Sequence, residues 1–195
     1  AWQWRDGDEE WLYQGGQEIP EIPAESWVYE SDAITLNIEA AQQLNDFDGS
    51  PHTLVLRILQ LNGRRDFSDS RETRPGIQSL LVADSIEAMG PAVVDFEELV
   101  IRPGESTTRV LDRYAETRYL AIVAGYFELK TDRATRLVPF PGIDDTEEVE
   151  RGVLDAFTFG YFADDPEQKL RRPGRLEADL RLGKDGISVM HIEPR

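Results

Sequence analysis

The chain has 195 residues, 40% of them hydrophobic, a formal net charge of −17 and no cysteine. That length suits one domain, and the apolar fraction is enough for a sizeable core. The charge disfavours nucleic acid and anionic lipid as partners, and the lack of cysteine removes disulfides, thiol catalysis and thiolate metal sites.

Residues 1–32 carry nine carboxylates and one base, Arg5, together with Trp2, Trp4, Trp11 and Tyr13. A disordered acidic tail would be poorer in aromatics. The composition predicts an extended arm or tether, partly docked on the core, with Pro20 and Pro23 keeping it out of helix. The sandwich domain proper is then 33–195.

Residues 33–39, AITLNIE, alternate in polarity as a half-buried strand does. Residues 45–52 read as a loop, and 53–61, TLVLRILQL, as a central strand covered on both faces. Arg57 interrupts that strand, and Glu97 or Glu98 is its natural partner, since a buried unpaired arginine is costly. Arg64 to Arg74 reads as charged loop with one apolar anchor, Phe67. The spacing of Ile77, Leu80, Leu81, Asp84 and Ala88 predicts one helix over about 75–90, begun by Pro75 and stopped by Gly90-Pro91.

Strands resume at Ala92–Ile101, at TTRVLD after the turn RPGES, and at Arg118–Leu129, which is apolar on both faces. The clearest hairpin joins LEADLRL to ISVMHIE through Lys184-Asp185-Gly186. Between them lies an irregular insert of about 130–174. Its DDTEEVERGVLDAF reads as a short helix capped by Asp144 or Asp145, and FTFGYF as a strand or packed loop. About seven short strands with regular turns indicate a mainly β chain, an antiparallel two-sheet β-sandwich with a helical insertion after the second strand.

Catalytic signals are weak. His52 and His191 have no metal-ligand spacing, and no serine lies in G-x-S-x-G. Asp46 and Asp48 beside His52 lack the regular oxygen spacing of a calcium loop. No phosphate-cradling loop is present. The residues therefore predict no enzyme, no metal, no cofactor and no small-molecule substrate. The loop Asn45, Asp46, Phe47, Asp48, Gly49, Ser50, Pro51, His52 stands out because turn chemistry does not require its phenylalanine. An aromatic on a loop held by two strands is either core filler or a protein-binding anchor.

The stretch LNDFDGSPHTLVLRILQL resembles the TssJ family of type VI secretion lipoproteins, through Leu44, Asn45, Gly49, Ser50, Pro51, Arg57, Gln60 and Leu61. Phe67, SLLVAD, LVIRPGES, RYLAIVAGYFEL and the final hairpin follow in the family's order, so the resemblance covers about residues 33–129 and 175–195. It implies a transthyretin-like sandwich without enzyme activity, at the periplasmic face of the outer membrane, held by a lipid on a cysteine preceding Ala1. It also implies binding of the periplasmic C-terminal part of TssM through residues 45–52. The alternatives are a carbohydrate- or protein-binding sandwich module, or a transthyretin-like hydrolase using His52 or His191.

Overall fold

The computed structural model describes residues 2–13, 22–145 and 170–195. In chain order, a hairpin of β1 (Trp2–Arg5) and β2 (Glu10–Tyr13) precedes β3 (Glu30–Ala40) and β4 (Leu54–Leu61). Three short helices follow: α1 (Arg65–Arg71), α2 (Arg74–Val82) and α3 (Ile86–Met89). Then come β5 (Val93–Ile101), β6 (Ser106–Arg113), β7 (Tyr119–Ala124), β8 (Thr135–Pro139), β9 (Gly142–Asp145), β10 (Leu170–Pro173), β11 (Leu176–Leu182) and β12 (Ile187–Pro194). Two four-stranded sheets, ordered β12-β11-β3-β6 and β5-β4-β7-β8, face each other; β9 and β10 form a separate ribbon. Neighbours within the two large sheets run antiparallel except β3 and β11, which lie parallel with Ile34 opposite Leu176.

Between the sheets, Ile34, Leu36 and Ile38 of β3 meet Leu56 and Ile58 of β4 and Ile122 of β7. Burying each such side chain stabilises the fold by roughly 1.5–3 kcal/mol. The other faces of β4 and β7 hold a second core. Leu59, Leu61, Ala121 and Val123 pack there with Phe67, Ile77, Leu80 and Met89 of the helices. This is why both strands read as apolar on both faces, as a central strand does.

The helical insertion is broken where one continuous helix was expected. Thr73 Oγ1 accepts the Gly76 N–H at 3.1 Å and starts α2. The chain leaves helix at Ala83 (ψ 134), and Ser85 caps α3 by accepting the Ala88 N–H at 3.2 Å. The break turns the buried face onto Ala83 and Met89, while Asp84 and Ala88 face solvent. The expected charged loop after β4 contains α1, whose Phe67 is the buried anchor. α1 and α2 pack so closely that a Cβ on Gly76 would stand 2.0 Å from the Ser70 carbonyl oxygen.

Arg57 is 6% exposed, facing the helices from β4. Its Nε donates to Glu98 Oε2 at 2.8 Å, with Nη2 2.6 Å from the same oxygen, so Glu98 is the partner. Its Nη1 donates to the carbonyls of Leu80 (3.0 Å) and Ala83, closing the C-terminus of α2.

The strand expected to run to Leu129 ends at Ala124. Gly125 leaves it to donate its N–H to Val55 O at 2.8 Å. β8 and β9 occupy part of the stretch expected to be irregular, so Asp144 and Asp145 end a strand. The remainder of the expected helix, and FTFGYF, lie outside the described residues.

The N-terminal hairpin lies across the side of the sandwich where β8 and β12 end their sheets. Trp4 Nε1 donates to Met190 O at 3.1 Å, Trp11 Nε1 to Pro139 O at 2.6 Å and Trp2 Nε1 to Gly142 O at 2.6 Å. Asp6 accepts the Met190 N–H at 3.2 Å, and Glu9 the Leu137 N–H at 3.1 Å. Trp4 and Trp11 are buried in the main core.

Candidate docking loop

Residues 41–53 connect β3 to β4 at one end of the sandwich. Leu44 is fully buried and fixes the start of the loop. At its tip, Phe47 and Ser50 exchange two backbone hydrogen bonds, of 2.9 and 3.1 Å. The two residues between them, Asp48 (φ 53) and Gly49 (φ 78), have left-handed backbones. Asp-Gly is the dipeptide such a two-residue reversal favours. His52 closes the base by donating its N–H to Leu44 O at 3.0 Å.

Polar side chains tie the loop to its neighbours. Asn45 is 3% exposed and itself left-handed (φ 48), a conformation asparagine tolerates better than most residues. Its Nδ2 donates to Thr53 O at 2.9 Å and its Oδ1 accepts the Phe127 N–H at 2.8 Å. Asp46 donates its N–H to Lys184 O at 3.0 Å, and its Oδ1 accepts the Gly49 N–H at 3.2 Å. Lys184 Nζ stands 3.8 Å from that carboxylate. Lys130 and Arg133 both pair with Asp185, locking the β7–β8 loop to the β11–β12 turn. The hydrogen bond from Lys130, with Arg133 nearby, holds the Asp185 carboxyl below the usual carboxylate range.

The eight loop residues divide by this geometry. Asn45 and Asp46 face inward and hold the loop. Phe47, Asp48, Gly49, Ser50 and Pro51 face solvent, and His52 is half-buried. Phe47 is 51% exposed, so it is not core filler. It lies beside Phe127, with ring centroids 5.3 Å apart, and the His52 ring meets Phe127 edge-on at 4.9 Å. Phe127 is not evident from sequence because the apolar run from Arg118 to Leu129 continues through it, whereas β7 ends at Ala124. Gly125, followed by the polar stretch from Glu128 to Arg133, was the available signal that the strand ends earlier. His191 lies apart on β12, exposed, with Glu193 at 3.3 Å.

The architecture is that of a two-sheet β-sandwich with a helical insertion after its second core strand and a rigid aromatic loop at one end. Residues 32–153 match the family model described as type VI secretion lipoprotein, VasD, EvfM, TssJ, VC_A0113, and the chain belongs to that family. No curated protein matches it. Among solved structures, the fold is similar to the lipoprotein TssJ1 of the type VI secretion system from Pseudomonas aeruginosa. That pair has 20% identity and a TM-score of 0.52, covering 86% of this chain and 96% of the other. Lip of Serratia marcescens, a membrane-bound component of such a system, has 20% identity and a TM-score of 0.53, covering 83% and 96%. A chain in the structure described as the TssM C-terminal domain (869-1107) from EAEC has 14% identity and a TM-score of 0.52, covering 83% and 98%.

Proposed function

We propose that this chain is a structural, non-catalytic component of the type VI secretion membrane complex. In this reading a lipid on a residue ahead of Ala1 holds it at the outer membrane, with the sandwich of 33–195 in the periplasm. One acyl chain binds a membrane only marginally, so stable anchoring needs several. Residues 1–32 join lipid to sandwich, with their hairpin seated on the core. Asn45 to His52 bind the periplasmic C-terminal part of TssM. Family membership supports the secretion role.

The observation that carries the loop assignment is Phe47, half-exposed on a turn whose backbone is fixed on both sides. An anchor already ordered in the free protein loses little conformational entropy on binding. Truncating a buried aromatic anchor typically costs about 2 kcal/mol or more. Titration calorimetry of the chain against the periplasmic TssM fragment tests this: Phe47→Ala is expected to weaken binding by about that amount. Unchanged affinity with an unchanged circular dichroism spectrum removes the loop from the interface.

A further inference from the structure

We propose that Phe127 and Glu128, on the loop after β7, form the second half of the docking surface that begins with Phe47 and Asp48. The matching partner surface is an apolar concavity rimmed by Lys or Arg. This rests on the docking role of the 45–52 loop.

The two rings form one ridge. Phe127 is 59% exposed, more than Phe47, and the ring planes are tilted by 33°. Contiguous apolar surface of this kind marks interaction sites more often than scattered exposed residues do. The ridge is built in advance, because Asn45 bonds the Phe127 backbone from beneath. The β7–β8 loop is held separately: Arg133 accepts the Ile187 N–H at 2.8 Å, and its guanidinium pairs with Asp185.

Charge specifies the occupant. The cations around the ridge already have partners within the chain: Lys184 lies near Asp46, and Lys130 and Arg133 share Asp185. Asp48 and Glu128 each follow an exposed ring directly, face solvent, and have no ion-pair partner among the described residues. The ridge therefore presents two rings flanked by two uncompensated carboxylates. A basic rim on the partner satisfies those carboxylates and raises the association rate.

The test measures affinity and association rate of the full chain with the periplasmic TssM fragment, at low and high salt. Variants are Phe47→Ala, Phe127→Ala, their double, and Asp48→Asn with Glu128→Gln. Val110→Ala, an exposed residue of β6, is the control. Phe127→Ala is expected to weaken binding ~10- to 30-fold. The double should lose less than the product of the singles, because adjacent rings share one concavity. The carboxamide pair should slow association several-fold at low salt and little at high salt. Phe127→Ala at wild-type affinity beside a weakened Phe47→Ala overturns this inference and leaves the loop assignment standing. The reverse result overturns the loop assignment and with it the two-part surface. A wild-type chain that does not bind the fragment overturns both.

Discussion

Replacing Arg57 with alanine separates two explanations of why a buried arginine is kept in a central strand. Its Nη1 reaches the carbonyls of Leu80 and Ala83, and its Nε and Nη2 grip Glu98. The last carbonyls of a helix have no partner within it, and the two that Arg57 bonds at the end of α2 belong to the buried residues Leu80 and Ala83. A buried acceptor left without a donor costs about 1–3 kcal/mol. Glu98 is different: its side chain is 42% exposed and rehydrates when its partner is lost, so the pair itself adds about 1 kcal/mol or less. Arg57 also stands 5.3 Å from the Phe96 ring, contact that alanine forfeits. Arg57→Ala should therefore cost roughly 3 kcal/mol, and Glu98→Ala about 1 kcal/mol or less. Urea unfolding followed by far-ultraviolet circular dichroism, with m-values compared, measures both. Equal losses for the two variants would refute helix closure as the source of the stability and assign it to the ion pair.

Three other expectations follow from packing and charge. Gly76→Ala should destabilise by about 1–3 kcal/mol, because the new methyl meets the Ser70 backbone and α1 must shift; thermal unfolding reports it. Trp4→Phe retains the buried ring but leaves the Met190 carbonyl unbonded, so hydrogen exchange at the neighbouring β12 amides should accelerate while β4 and β7 stay protected. Burial, and secondarily Glu97, raises the pKa of Asp95, against the opposing pull of the Phe96 N–H. The folded state thus disfavours its charged form. That penalty is present above the folded pKa and absent below the unfolded pKa, about 3.9. Asp95→Asn should accordingly raise the urea midpoint near pH 7 and lose this advantage as the pH falls to about 4.

The strands legible in the sequence are β3 to β7, β11 and β12, most clearly those such as β4, β7 and β11 whose burial is one- or two-faced along their length. Polarity alternation records such burial locally, residue by residue. What could not be read was non-local. The parallel seating of β11 beside β3 joins segments more than 140 residues apart, and nothing within either strand encodes it. The sequence reads as one helix because a 3.6-residue spacing persists arithmetically through Ala83–Ser85, although Ser85 starts a new helix there. At the loop, turn residues and the unexplained Phe47 were visible in sequence. Phe127 was hidden because the backbone bond placing it beside Phe47 comes from an asparagine 82 positions earlier.

The acidic, aromatic N-terminal composition also takes on a different physical sense. A strand ending a sheet offers unpaired N–H and C=O groups to other chains, and proteins block them. On β8 and β12, Asp6 and Glu9 fill two N–H positions, and the indoles of Trp4 and Trp11 reach two strand carbonyls. Side chains thus occupy the edge without adding another strand that would itself need covering. The same segment buries Trp4 and Trp11 in the core. A chain able to bury indoles at one margin and bond their N–H groups does not expose aromatics for want of packing. Phe47 and Phe127 stand more than half exposed on loops whose own polar groups are tied down by Asn45, Asp46 and Asp185. Their exposure follows from where those bonds hold the backbone, and so depends on the loop geometry rather than on a deficit in the core.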